Sequence, residues 1–101
     1  MVRKAEHQNK FSKALRLTRA ARGLPQEAFS LVSSRTYVSS LERGLKSPTL
    51  LKVDALAEVL EVHPLTLLTL AYVDHKHPRS ADALVEGVLK ELHLLLAREK
   101  I

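Results

Sequence analysis

Cysteine is absent from the 101 residues, which excludes a disulfide framework and any thiolate metal site and suits a reducing compartment, with the cytoplasm expected. Glycine (3 residues) and aromatic side chains (4%) are scarce, so strand-and-turn architectures are disfavoured. Long apolar runs are also missing. The longest, from Leu65 to Val73, is broken by Thr66 and Thr69 and is far shorter than the roughly 20 residues needed to cross a bilayer. The opening segment MVRKAEHQNK is charged with no apolar stretch behind it, so neither a signal peptide nor a membrane segment is expected.

Acidic residues are scarce in one half only. Met1 to Lys46 carries ten Lys or Arg against Glu6, Glu27 and Glu42, a net charge of +7, whereas Ser47 to Ile101 carries six against eight acidic residues, a net −2. The first half can therefore face phosphates while the second faces something else. A merely solvated basic surface is the competing reading of the charge alone. What the chain has in quantity is Leu, Ala and Val, within 46% hydrophobic residues. That composition favours helices and, at this length, a single core, so an all-α fold is expected.

Phe11, Ala14, Leu15, Thr18 and Ala21 recur at helical spacing, with Lys10, Lys13, Arg16, Arg19 and Arg22 between them and Gly23 beyond. This predicts a first helix from about Gln8 to Arg22. Pro25, taken as a first helical position, opens a short second helix through Gln26, Glu27, Ala28, Phe29 and Leu31 that stops near Val32. Ser33 and Ser34 are N-cap candidates for a third, whose apolar side is Tyr37, Val38 and Leu41 and which ends at Arg43 and Gly44. Ser47-Pro48 signals a fourth, striped by Val53, Leu56, Ala57 and Leu60, and Pro64 a fifth, carrying Leu65, Leu67, Leu68 and Tyr72. The polar, Pro-containing segment Asp74 to Arg79 breaks the pattern, and Ser80 then caps a long last helix reaching about Arg98. The expected organisation is a five-helix unit over 1–73, a linker over 74–79 and an added amphipathic helix over 80–101.

Two short helices joined by a tight connection suit a helix-turn-helix, in which the first helix braces on the DNA backbone and the second enters the major groove with its leading side chains at base edges. The second helix must then be apolar on one face and small or polar at its leading exposed positions. The segment Ser34-Arg35-Thr36-Tyr37-Val38-Ser39-Ser40-Leu41-Glu42-Arg43-Gly44 meets this requirement, with Val38 and Leu41 directed inward and Arg35, Thr36, Ser39 and Ser40 directed outward. An ordinary amphipathic surface helix would share the pattern.

Three linked elements from about Lys13 to Leu70 decide between these readings. They are Leu15-Arg16, Arg19 and Arg22-Gly23-Leu24-Pro25-Gln26-Glu27; then Ser34 to Gly44; then Ser47-Pro48-Thr49-Leu50, Leu56-Ala57 and Leu60-Glu61-Val62. In this order the sequence resembles the lambda-repressor-like (Xre-type) helix-turn-helix regulators, a resemblance that implies five helices, sequence-specific binding of double-stranded DNA and a twofold dimer. Carried over by position, Gln26 opens the bracing helix and touches a phosphate or supports the base readers, while Ser34, Arg35, Thr36, Ser39 and Ser40 face the groove. Arg35 is the leading base reader, since a guanidinium can bond O6 and N7 of guanine together; a phosphate contact is its alternative role. Arg43 and Lys46 are expected on the backbone, fixing register. The resemblance also pairs Arg19 with Glu42 as a structural bridge. One departure stands out: the chain between the Gln26-Glu27 and Ser34-Arg35 elements is two residues shorter than usual for the family and lacks its common Gly, which changes the angle of the recognition helix and can move the groove-facing positions by one.

No convergent set of titratable groups points to catalysis. His75 and His77 lie in the polar linker without a thiolate or a regular carboxylate partner, and His7, His63 and His93 have no evident partners. Neither an enzyme, a metal nor a cofactor is expected. The last helix instead carries Ala81, Leu84, Val85, Val88, Leu89, Leu92, Leu95 and Leu96 in one stripe roughly 140° wide at 100° per residue. Such a face folds back on its own chain or pairs with a second chain. Pairing is the preferred reading, because the five-helix unit can close a core by itself and a twofold protein reads a twofold site. The dimerisation residues are then Leu84, Val85, Val88, Leu89, Leu92, Leu95 and Leu96. The function expected is a homodimeric transcription regulator on a pseudo-palindromic operator, in which no ligand-sensing domain fits. The alternatives are an antitoxin-like autorepressor whose last helix holds a toxin, and a protein-interaction adaptor that has lost DNA binding.

Overall fold

The computed structural model describes residues 9–77 and 79–99; the expected helix start at Gln8, His7 and the last two residues lie outside them. Among the described residues all regular structure is helical: α1 (Phe11–Ala21), a single 3₁₀ turn (Gln26–Phe29), α2 (Arg35–Glu42), α3 (Leu50–Leu60), α4 (Pro64–Tyr72) and α5 (Ser80–Glu99). None of the helices among these residues is long and apolar enough to cross a membrane.

Local chemistry sets the boundaries. Asn9 Oδ1 accepts from the Phe11 amide at 3.1 Å, Ser34 Oγ from the Tyr37 amide at 3.1 Å and Thr49 Oγ1 from the Lys52 amide at 3.1 Å. Each satisfies a donor that a helix start would leave orphaned, worth about 1 kcal/mol. The α3 cap is thus Thr49, two residues beyond the expected Ser47, with Pro48 holding the extended approach to it. Before α4 the cap is a histidine: His63 Nδ1 accepts from the Leu65 amide at 3.0 Å, and Pro64 occupies the first turn, where a missing N–H is harmless. Gly23 (φ 68°) and Gly44 (φ 74°) end α1 and α2 in the left-handed region. After α3 the same conformation is taken by Glu61 (φ 59°), whose carbonyl accepts from Arg22 Nη2 at 3.1 Å and ties the ends of α1 and α3 together.

The core is formed by Phe11, Leu15, Phe29, Val38, Leu41, Leu56, Leu60 and Leu67 with the smaller Ala14, Val53, Ala57 and Ala71. Every one of them precedes residue 74, so the unit closes its core without α5. α1 packs on α4 and α2, and the Lys10 amide donates to the Ala71 carbonyl at 2.7 Å. The expected second helix is reduced to the four-residue 3₁₀ turn, with Pro25 in extended backbone before it. Phe29 is its fully buried anchor, contributing about 2–3 kcal/mol of apolar burial. Leu31, read from the sequence as part of that helix's stripe, instead lies in the following turn and is 97% exposed. After Phe29 the chain turns rather than continuing as a helix, the Val32 and Ser33 amides both donating to the Phe29 carbonyl at 2.9 Å.

Candidate nucleic-acid interface

α2 starts where the turn after Phe29 delivers it. The Val32 and Ser33 amides both donate to the Phe29 carbonyl at 2.9 Å, and Lys52 Nζ from α3 donates to the Val32 carbonyl at 2.7 Å. The turn is thereby held from both sides, and the first residues of α2 are presented outward. Arg35 and Thr36 are exposed and Ser39 is half-exposed, over an inner face of fully buried Val38 and Leu41. Ser34 is exposed, and its hydroxyl is engaged as the helix cap.

Ser40 corrects the sequence reading. Expected to project outward, it is only 7% exposed. α1 packs on α2, and the chain after Gly44 folds back so that the Leu45 amide donates to the Ser40 carbonyl at 2.9 Å. The buried face of α2 is therefore wider than its apolar stripe, and Ser40 cannot reach a groove.

Behind α2 lies a closed ionic network. Arg19 Nε and Nη2 donate to the two carboxylate oxygens of Glu42 at 2.6 and 2.9 Å, Arg19 Nη1 donates to the Leu24 carbonyl at 2.9 Å, and Gln26 Nε2 donates to Glu42 Oε1 at 2.9 Å. Glu42 is 4% exposed and Arg19 22%. Burial pushes the Glu42 carboxyl up, but the bonds from Arg19 and Gln26 and the charges of Arg19 and Arg16 outweigh it and hold the group below the usual glutamate range. Arg19 is raised, first by its bond to Glu42, against the cost of burial. Together these bonds tie α1, the 3₁₀ turn and the C-terminal end of α2 to one another through Glu42.

Three residues join this surface that the sequence reading had not assigned to it. Glu27 Oε2 lies 2.9 Å from Arg35 Nη1, an ion pair with both side chains exposed and worth about 0–1 kcal/mol. Tyr37, assigned to the apolar side of α2, is half-exposed, with the ammonium groups of Lys46 and Lys52 5.7 and 5.4 Å from its ring centroid. Arg43 and Lys46 are exposed beyond the helix end. Arg35, Arg43, Lys46 and Lys52 thus border α2 with Glu27 as the acidic group among them. The signals were present as Glu27 eight residues before Arg35 and as two lysines after Tyr37, but only the folded arrangement brings them together.

The residues expected to dimerise form a separate surface. Ala81 and Leu84 are half-buried where α5 meets α4, whereas Val85, Val88, Leu89, Leu92, Leu95 and Leu96 are 45–64% exposed. Between α4 and α5 runs an apolar groove of about 480 Å³. In the linker, His77 Nδ1 meets Asp74 Oδ2 at 3.0 Å and His75 Nε2 lies 2.8 Å from the Leu70 carbonyl. Among the described residues no group of three or more His, Cys, Asp or Glu could hold a metal ion.

A protein family described as Helix-turn-helix matches residues 13–67, a span running from α1 into α4 and leaving α5 outside. Among solved structures, the restriction-modification controller protein C.AhdI from Aeromonas hydrophila is similar, with 37% sequence identity and a TM-score of 0.54 over 57% of this chain and 91% of that one. No curated protein matches the chain.

Proposed function

The chain belongs to the lambda-repressor-like helix-turn-helix family of DNA-binding transcriptional regulators, and from that premise we propose that it binds a pseudo-palindromic operator as a homodimer, each protomer laying α2 in one major groove. The observation that carries this reading is the outward presentation of Arg35 and Thr36 on the first turn of a helix whose other side is locked by Val38, Leu41 and the Arg19–Glu42–Gln26 network. A base reader is useful only if its helix does not yield, and this one is held from three sides.

In the proposed complex Arg35 leaves Glu27 and bonds O6 and N7 of a guanine, exchanging an exposed ion pair of about 0–1 kcal/mol for a bidentate contact worth about 1–3 kcal/mol of discrimination. Thr36 and Ser39 line the same groove with short hydroxyls. Arg43, Lys46 and Lys52 lie where phosphates pass, and they set register without reading sequence. Ser34 and Gln26 act chiefly through the fold, one as the α2 cap and the other as a Glu42 donor. The described unit spans 9–73, the linker 74–79, and the helix over 80–99 supplies the second chain's contact through its exposed apolar residues. The likeness to a restriction-modification controller supports a regulator over an adaptor that has lost DNA binding. A cytoplasmic location fits the cysteine-free sequence.

Selection of bound sequences from a random duplex pool tests the proposal. The expected product is two inverted half-sites with centres about 34 Å apart, each holding a guanine whose substitution weakens binding. Absence of salt-sensitive duplex binding would overturn it in favour of the adaptor.

A further inference from the structure

Between residues 9 and 53 the chain carries nine Lys or Arg and two acidic residues. Glu42, one of the two, is 4% exposed and enclosed by Arg19 and Gln26. The other, Glu27, is therefore the single exposed carboxylate of this stretch. It lies 2.9 Å from Nη1 of Arg35, the residue assigned above to base reading. A carboxylate on a surface that approaches phosphates opposes binding to every duplex. The fold does not require it there, because the 3₁₀ turn that carries Glu27 is anchored by buried Phe29 and by the Gln26 bond to Glu42.

The ion pair gives the Arg35 guanidinium a partner within its own chain. On a site that holds guanine at the position it reads, Arg35 exchanges Glu27 for O6 and N7. On a site with another base there, a lone guanidinium would enter the groove without a matching pair of acceptors, losing hydration that nothing replaces. With Glu27 beside it, it keeps its ion pair instead. The pair is thus broken only on the matching site, and its loss is subtracted from the preference for that site. Side-chain exposures of 72% for Arg35 and 56% for Glu27 place the pair in water, where such a pair shifts an equilibrium by up to about fivefold.

We propose that Glu27 sets how strictly the interface reads the base pair facing Arg35: by offering the guanidinium an alternative partner, it softens discrimination at that position and lets one protein occupy operator variants with graded affinity. Glu27 acts through Arg35 and touches no base, so it is a positioning residue. This rests on the reading of α2 as the groove-entering helix with Arg35 as its base reader. It extends that reading from what Arg35 recognises to how far a mismatch is tolerated. Specificity is a difference of affinities, and a contact present only in the unmatched state reduces that difference.

Glu27→Gln removes the charge with little change of shape and provides the test. Full-length wild type and variant are titrated by fluorescence anisotropy onto the operator recovered from the duplex pool. A second duplex has the guanine whose preference Arg35→Ala relaxes replaced in both half-sites. Glu27→Gln is expected to raise the ratio of the two affinities about two- to fivefold per half-site, chiefly through tighter binding of the operator. Relief of repulsion from phosphates acts on both duplexes alike and cancels in the ratio. In an Arg35→Ala background the same change should leave the ratio where it was. Raising the KCl concentration should bring wild type towards the variant, because salt screens an exposed pair. An unchanged ratio overturns the proposal and leaves Glu27 a plain repulsive charge. A lower ratio overturns it as well, since Glu27 would then read a base itself, as a carboxylate does at cytosine N4. Both of these outcomes leave the DNA-binding reading intact. Absence of salt-sensitive duplex binding by wild type, or an Arg35→Ala chain with no relaxed position, overturns the base-reader assignment together with the proposal.

Discussion

Replacing Arg19 with Met keeps the aliphatic stem in place and removes three hydrogen bonds, two to Glu42 and one to the Leu24 carbonyl. A fully buried ion pair broken on one side costs on the order of 3–5 kcal/mol, because the remaining charge is stranded. Here Gln26 still donates to Glu42, and water can reach the place of Arg19, which is 22% exposed. The lower end, about 3 kcal/mol, is therefore expected. For a domain of this size that lowers the melting midpoint by roughly 12–24 °C and leaves a folded protein only if wild-type stability is well above the loss. Adding Glu42→Met should recover at least half of the cost, since an apolar replacement of both partners leaves no stranded charge. The cycle is measured by urea unfolding followed by circular dichroism. Acid supplies a second reading of the same network. The Glu42 carboxyl is held below its ordinary range in the fold, so its stabilisation is complete above the unfolded glutamate value of about 4.3 and is lost as pH falls through the lower folded value. Wild type should lose stability below about pH 5 more steeply than Arg19→Met, in which the lowering bonds are gone. A cost below about 0.5 kcal/mol for Arg19→Met, or strictly additive effects in the double variant, would refute the argument.

Arg35→Ala should weaken operator binding by roughly 1–3 kcal/mol and relax preference at one base pair of each half-site, as read by fluorescence anisotropy on a panel of operators. Equal loss on all sequences would reassign Arg35 to a phosphate. Lys46→Ala should reduce specific and non-specific binding alike and lower the salt slope by about one unit per protomer; an unchanged slope removes it from the interface. A chain ending at Arg79 should keep its fold, because no residue of α5 belongs to the buried core. It should sediment as a monomer and lose a factor of about 10²–10⁴ on a full site relative to a half-site.

The helices were legible because their signals are local. Gly23, Gly44, Ser34 and Pro64 act within a turn of where they stand, and the stripes of α1 and α3 bury as their spacing demands except at Ala21, which is exposed; in α4 the expected Leu65 and Tyr72 are about 60% exposed, and Leu67 with Ala71 takes the core side instead. Ser40 was misread because burial on a short helix depends on what flanks it, and neither the packing of α1 nor the return of the chain after Gly44 is written in α2 itself. The second helix was misread for a related reason. Leu31 continues a helical stripe on paper, but the helix ends at Phe29, whose carbonyl takes the Val32 and Ser33 amides into a turn that leaves Leu31 outside. The contact of Glu27 with Arg35 spans the turn between the two elements, and those of Tyr37 with Lys46 and Lys52 span the chain from α2 into α3, so all of them appear only in three dimensions.

Glu61 stores backbone strain at the end of α3. An L side chain in the left-handed region crowds its Cβ against the backbone, at a cost of about 1 kcal/mol relative to glycine. The contact made there, from Arg22, goes to the Glu61 carbonyl, which any residue at this position would provide. The side chain thus adds strain without serving the α1–α3 tie, and glycine would give the same fold with more stability. Natural domains sit only a little above the stability they need, and the end of α3 holds a reserve that a Glu61→Gly change would draw on. That reserve is available for tolerating later changes on the surfaces that read DNA.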